Sequence, residues 1–401
     1  MSATAALCQE SRTAPADERL PLPALIALAL AAFITMLTET LPAGLLPQIG
    51  ASLGVAEALA GQLVTCYALG SLVAAIPLTV ATQGMRRRPL LLLALAGFVV
   101  ANSITTFSAS YLLTLLARFL AGVSAGLVWA LLAGYAARMV SDRLKGRAIA
   151  VVMTGTPLAL SLGVPLGTWV GTLVGWRLCF AVMSLLALLL MAWIQLKVPD
   201  YPGQAPGRRL SVTRVFVIPG IRPILLVVLA FVLAHNILYT YIAPFLADAG
   251  MAERTDLVLL VFGVASLLGI WIIGALIDRH LRRLTLASTL GFAATALALS
   301  IAGHEPVVIY LAVATWGLAL GGAATLFQTA LFQAAGEAGD VAQSMTVTVW
   351  NLAIAGGGIV GGILLQHFGP EALAPALLVL LAVTWIVIWR ARQHGFPPAA
   401  N

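Results

Sequence analysis

Between Pro23 and Ala391 the chain alternates long apolar runs with short polar gaps. The runs are about twenty residues long, the length an α-helix needs to cross a bilayer's hydrocarbon core. They read as 23–46, 58–82, 89–108, 111–137, 148–172, 176–196, 223–247, 257–277, 284–303, 306–332, 342–366 and 371–391. The pattern therefore predicts an all-α polytopic membrane protein with twelve transmembrane helices. One interior gap is long, from Pro199 to Arg222, and it is rich in Pro, Gly and Arg. That composition predicts a flexible linker. The predicted organisation is a tail (1–22), a six-helix bundle (23–197), a linker (198–222), a second six-helix bundle (223–391) and a tail (392–401).

The gaps alternate in charge. The second (Arg86, Arg87, Arg88), fourth (Arg138, Arg143, Lys145, Arg147), sixth (Lys197, Arg208, Arg209, Arg214, Arg222) and eighth (Arg279, Arg282, Arg283) are basic. The positive-inside bias places these gaps in the cytoplasm, with both termini (Arg12, Arg19; Arg390, Arg392) on the same side. A multi-pass protein of a bacterial inner membrane is expected, with the lipid bilayer as its surroundings. The orientation also accounts for the net charge of +7, so no nucleic-acid partner is needed.

At 61% hydrophobic and 9% charged residues, the chain carries more apolar surface than one globular core could bury. Cys8, Cys66 and Cys179 have no spacing suited to zinc or to a disulfide framework. No metal and no cofactor is expected. Gly122-Val123-Ser124-Ala125-Gly126 matches a hydrolase elbow, but it lies inside an apolar helix with no preceding strand. Gly356 to Gly361 matches a dinucleotide fingerprint without its βαβ context, and no phosphate-binding Gly-Lys-Ser/Thr loop is present. The chain does not read as an enzyme or an ATP-driven pump.

The two halves read as repeats. Arg86 and Arg282 lie 196 positions apart, and the same offset carries Glu39 in the first span onto His235 in the seventh. Two six-helix halves related by a repeat, with a site between them at mid-membrane, are a recurring secondary-transporter plan.

Few residues inside the spans carry chemistry. Glu39 is the only carboxylate well inside an apolar run, and Arg118 is the only buried-cation candidate. Either residue costs about 2.5–3.5 kcal/mol near a helix centre unless it faces a partner or a water-filled cavity. Burial favours the neutral carboxylate and a nearby guanidinium the ionised one, so such a pair can exchange a proton. The alternative is a Glu39 hydrated at the membrane interface. The string His235-Asn236-Ile237-Leu238-Tyr239-Thr240-Tyr241 places His235 and Tyr239 on one helical face, with Asn236 one step round. These groups suit hydrogen bonding to a polar organic solute, or alternatively to a neighbouring helix. Trp129, Gln328, Trp350 and Asn351 are further cavity candidates. Gly163, Gly167, Gly171 and Gly175 form a stripe in span five, bent by Pro157 and Pro165, and span eleven has its own glycine cluster. Both surfaces permit close helix packing.

With these motifs in view, the chain resembles the major facilitator superfamily over nearly its whole length. Gly274-Ala275-Leu276-Ile277-Asp278-Arg279-His280-Leu281-Arg282-Arg283 is similar to the family's G-x-L-x-D-R-x-x-R-R loop. The counterpart after span two keeps Arg86 and Arg87 but has Thr82 where the acid is expected. Arg118 with Gly122 and Gly126 is similar to the span-four arginine signature, and Gly155 to Gly167 to the span-five motif of exporters. The Glu39 segment, the His235 string, Gly175-Trp176-Arg177 and Trp350-Asn351 look most like the drug and sugar proton-antiporter branch, which includes arabinose-type exporters. The resemblance implies a proton-coupled exporter of small organic molecules working by alternating access; a monomer is expected. It assigns proton exchange to Glu39 and Arg118, and substrate contact to His235, Asn236, Tyr239 and Tyr241. Arg86, Arg87, Asp278, Arg279, Arg282 and Arg283 become a cytoplasmic latch, and Gly163, Pro165, Gly167 and Gly171 a packing surface that seals and unseals the path. An uncoupled facilitator or importer is the runner-up, and a membrane sensor or assembly protein the alternative outside transport.

Overall fold

A computed structural model describes residues 20–205 and 210–397. Cys8, Arg12, Arg19, Arg208 and Arg209 lie outside the described residues. Every regular element among the described residues is helical. Span one is Leu22–Thr40, extended through a 3-10 turn (Leu41–Leu45) into Leu46–Leu53. Spans two to four are Glu57–Ala81, Arg87–Phe107 and Tyr111–Arg138. Span five begins at Lys145–Met153, passes Gly155–Leu158 and a π turn at Ala159–Gly163, and ends as Val164–Val174. Spans six and seven are Trp176–Lys197 and Ile221–Thr240, the latter continued by Ile242–Asp248.

Spans eight and nine share one continuous stretch, Thr255–Ala302, with non-helical dihedrals at His280. The chain folds back at that residue. Phe262 and Phe292 both lie against Trp316, at 4.4 and 6.0 Å between ring centroids. On a straight helix they would be separated by about 45 Å. Span ten is Pro306–Gly321 continued by Ala323–Ala335; span eleven is Gly339–Phe368 and span twelve Leu373–Arg390. The ends have local causes. Ser110 accepts a hydrogen bond from the Leu113 N–H and starts span four, and Pro306 occupies the first turn of span ten. Gly175, at φ +92°, makes the sharp turn between spans five and six.

Leu93, Val100, Leu116, Trp169, Trp271 and Leu311 are each at least half exposed on the outer surface. That is the outer face of a protein solvated by lipid rather than water. Inside, small residues bring helices into backbone contact, because helix association in lipid relies on close packing rather than on the hydrophobic effect. Gly122 and Gly126 of span four sit on the backbone of Tyr67 and Ser71 in span two. Gly317 and Gly321 of span ten sit on the backbone of Phe262 and Ser266 in span eight. All four members of the second set stand 195 positions after the first, so the repeat read from charges is also a repeat of contacts.

The spacing places a precise demand on side-chain size. A Cβ at Gly122 would overlap the Tyr67 carbonyl oxygen, and one at Gly321 the Ser266 carbonyl oxygen, whereas nothing lies within 4 Å of the corresponding point at Gly263. Gly122→Val and Gly321→Val should each lower stability by about 1–3 kcal/mol through overpacking. Gly263→Ala should leave it unchanged or slightly raised. Thermal unfolding of the detergent-purified variants reads both effects.

Candidate functional site

In the first half, the polar centre forms where span one stops being an α-helix. Pro42 has no N–H to continue the ladder, and the chain tightens into the 3-10 turn just after Glu39. Arg118 reaches this break. Its Nη2 donates to the Glu39 main-chain carbonyl at 3.3 Å and its Nε to the Leu63 carbonyl at 3.4 Å. The guanidinium lies over the Tyr67 ring at 4.7 Å, and the Tyr67 hydroxyl donates to the Thr35 carbonyl at 3.0 Å. Arg118 is fully buried and its Nη1 has no partner. The sequence predicts a Glu39–Arg118 charge pair, but the guanidinium contacts the backbone of Glu39 instead. The Glu39 carboxylate is half-buried and makes no ion pair among the described residues.

In the second half, His235 stacks on Phe262 (5.9 Å, 13° between planes) and lies 5.2 Å from Tyr239 and 5.3 Å from Trp316. Its Nδ1 is buried without a partner. Tyr239 is 40% exposed, so this aromatic cluster has an open side. Phe262 and Trp316 were not legible as site residues, because each reads as an ordinary apolar position of its span. Asn236 faces elsewhere. Its amide donates to the Val232 carbonyl at 2.8 Å within its own helix, and its Cβ fills the space over Gly357. Tyr241 likewise turns to span eleven, with its hydroxyl on the Gly358 carbonyl at 2.6 Å and its ring over Gly361 and Gly362. Gln328 is buried with its Oε1 unpartnered, and the Asn351 amide bonds its own helix at Val347. Trp129 and Trp350 are half-buried, and no hydrogen bond or ring contact among the described residues joins them to His235.

The glycine stripes pack within each half. Gly155 meets the span-one backbone at Ala29 and Phe33, Gly163 the side chains of Phe33 and Leu37, Gly167 that of Leu41 and Gly171 that of Leu45. Gly357 and Gly361 receive span seven in the matching way. Pro165 sits in the first turn after the π turn. These surfaces hold span five to span one and span eleven to span seven, and do not face the opposite half.

The halves are instead joined at the basic end. Arg87 pairs with Asp340 at 2.6 Å, both side chains 2% exposed, and Arg138 binds the same carboxylate oxygen at 2.9 Å. The Asp278 carboxylate accepts the Gly146 N–H at 2.7 Å, at the start of span five, and forms an ion pair with Arg147 at 3.4 Å. These contacts revise the residues expected from sequence. Arg118 is not the only buried cation, since Arg87 is buried as well. Arg86 pairs with Asp200 of the linker at 2.5 Å. Arg282 donates to the carbonyls of Ile388, Trp389 and Phe396 beside span twelve, within its own half. Arg279 and Arg283 are exposed and make no side-chain bond among the described residues. Asp340 and Arg138 were missed because their charges read as gap residues of ordinary membrane-protein sidedness. A cavity of about 580 Å³ lies beside this junction, lined by Arg138, Lys145, Gln204 and Phe332, and none of the His235 cluster borders it.

At the opposite end Asp248, His304 and Glu371 bring ligand atoms within 4.8 Å of one another, but all three are exposed and outside both central clusters. Arg87→Ala should destabilise the protein by about 3–5 kcal/mol, because it leaves a buried carboxylate with one partner fewer. Arg87→Leu combined with Asp340→Leu should recover most of that loss, since it removes both buried charges. Melting temperatures of the single and double variants decide this.

Comparison with known proteins agrees with the fold. The transcription regulatory protein OpdE of Pseudomonas aeruginosa is 30% identical over 378 residues, covering 92% of this chain and 94% of its own. The human organic anion transporter MFSD10 (TETRAN) superposes with a TM-score of 0.77 at 15% identity, covering 92% of this chain and 100% of that one. The transporter FucP in its outward conformation gives 0.76 at 16% identity, covering 93% and 99%. The proton:xylose symporter XylE gives 0.73 at 15% identity, covering 92% and 95%. A family model described as Major Facilitator Superfamily matches residues 28–358, and the chain belongs to that family.

Proposed function

We propose that the protein is a proton-coupled exporter of small organic molecules in a bacterial inner membrane. The observation that carries this reading is the unpaired, half-buried Glu39 carboxylate at the break in span one, beside the buried Arg118. A carboxylate in that setting can bind and release a proton as its surroundings change. Facing it in function, the open side of the His235–Tyr239 cluster offers an aromatic surface to an organic solute, with the unpartnered imidazole Nδ1 buried behind it. Positive-inside sidedness makes the basic end cytoplasmic, with both termini and the linker on that side. The two halves, 23–197 and 223–391, would then rock about the centre with the cytoplasmic end closed in the present state.

Export rather than import rests on the likeness of span five and of the Glu39 segment to exporters. A sensor is the second reading, favoured by the name of the 30%-identical relative. In that case the same site would bind a solute without moving it.

Glu39→Gln mimics the protonated acid. In proteoliposomes it should retain substrate exchange between the two sides yet fail to concentrate substrate under an imposed pH gradient. Accumulation at the parental level would remove Glu39 from coupling, and absence of counterflow in the parent for every sugar and drug tested would favour the sensor.

The two polar residues of span seven should separate. His235→Ala should alter the substrate profile with normal expression, because the imidazole stands on the open aromatic cluster. Asn236→Ala should act through the helix contact at Gly357, lowering the melting temperature more than it changes substrate preference. Transport assays and thermal unfolding of the two variants test this together.

A further inference from the structure

We infer that Asp200 and the linker segment 199–204 form a strap that positions Arg87 for its bond across the two halves, so that the linker takes part in latching. The inference rests on the proposed alternation between closed and open basic ends.

Span three opens with Arg87 and Arg88, preceded by Arg86, and has no acid in its first turn and no side-chain cap. Three cations at a helix N-terminus oppose the helix dipole and one another. Thr82 cannot offset them, because its hydroxyl is turned back onto the Leu78 carbonyl. The linker does so instead. One Asp200 oxygen accepts the Arg86 guanidinium at 2.5 Å and the other accepts the Arg88 N–H at 3.0 Å. The neighbouring Tyr201 carbonyl accepts the Arg87 N–H at 2.9 Å. With Arg86 neutralised and the backbone held, the Arg87 side chain is the one that crosses to Asp340.

The strap is anchored along its length. The Tyr135 hydroxyl donates to the Pro199 carbonyl at 2.7 Å, and the Tyr135 and Tyr201 rings meet edge to face at 5.7 Å. The Gln204 N–H donates to the Gln83 carbonyl at 2.8 Å, and Gly203 lies so close to Gly84 that a side chain there would overlap its carbonyl. This part of the linker is therefore fixed to the first half, with the Gln204 side-chain amide also donating to the Glu337 carbonyl of the second half at 2.6 Å, contrary to the flexible segment its composition predicts. In the second half the counterpart of Arg86, Arg282, is held by the Ile388, Trp389 and Phe396 carbonyls rather than by an acid. Asp278 meets the start of span five directly, so there the loop supplies the acid, whereas after span two the loop supplies the cation.

Paired spin labels test the strap in the full-length protein, in a background lacking the native cysteines. One pair, at Arg143 and Arg283, reports the basic end, and another, at Ala109 and Glu253, the opposite end; all four positions are exposed. Asp340→Asn serves as the reference that opens the latch directly. Asp200→Ala, Arg86→Ala and Gly203→Val should each lengthen the basic-end distance and shorten the opposite one, as Asp340→Asn does, and Asp200→Glu should restore both. Gly203→Val displaces the strap without removing a charge, so it covers the case in which Asp200→Ala does not fold. If Asp340→Asn shifts both distances while the strap variants shift neither, the strap is overturned and the alternation stands. Broadening at the basic end alone would reduce the strap to a local anchor and also overturn the proposal. If Asp340→Asn shifts neither distance, the alternation itself fails and the strap's role with it.

Discussion

The structure depends on backbone contact between helices at glycine. In lipid a leucine gains little by touching another helix rather than an acyl chain, so what holds helices together is fit at short range. Gly122 and Gly126 let span four sit on span two, and Gly317 and Gly321 let span ten sit on span eight. Both interfaces also set the chemistry. Arg118 lies one helical turn before Gly122, so the same approach that brings Gly122 onto Tyr67 lays the guanidinium over the Tyr67 ring. Trp316 precedes Gly317, and the matching approach to Phe262 builds the aromatic wall on which His235 stacks.

The two halves repeat in packing and diverge in function. Glu39 and His235 are equivalent by sequence offset, yet one stands as an unpaired carboxylate and the other inside an aromatic cluster. The basic-end contacts diverge in the same way, with acid and cation exchanging places between loop and span.

Arg87 and Asp340 carry the junction between halves at some expense, since two charges must leave water to form it. The arrangement lowers that expense locally. Asp340 lies in the first turn of span eleven, where the helix dipole favours an anion, and Arg138 adds a hydrogen bond beside the Arg87 ion pair. Under the proposed alternation, such a bond would hold while the end is closed and exchange for water when it opens, unlike a buried apolar contact.

The sequence by itself determined what depends on composition and period. The succession of apolar helices, the repeat and the positions of Glu39, Arg118 and His235 within spans follow from where charges stand among apolar runs, because the bilayer penalises a misplaced charge wherever the chain folds. Helix periodicity also placed His235 and Tyr239 together, since a period fixes neighbours within one helix. Only the tertiary structure decided partners between elements. Arg118 and the Glu39 carbonyl, Arg87 and Asp340, Arg86 and Asp200, and Asn236 and Gly357 are each joined across spans or loops far apart in the chain. Those pairings depend on the rotation and depth of each helix against its neighbours. Rotation and depth are fixed by glycine contacts summed over the whole bundle, and no local pattern in the sequence encodes that sum.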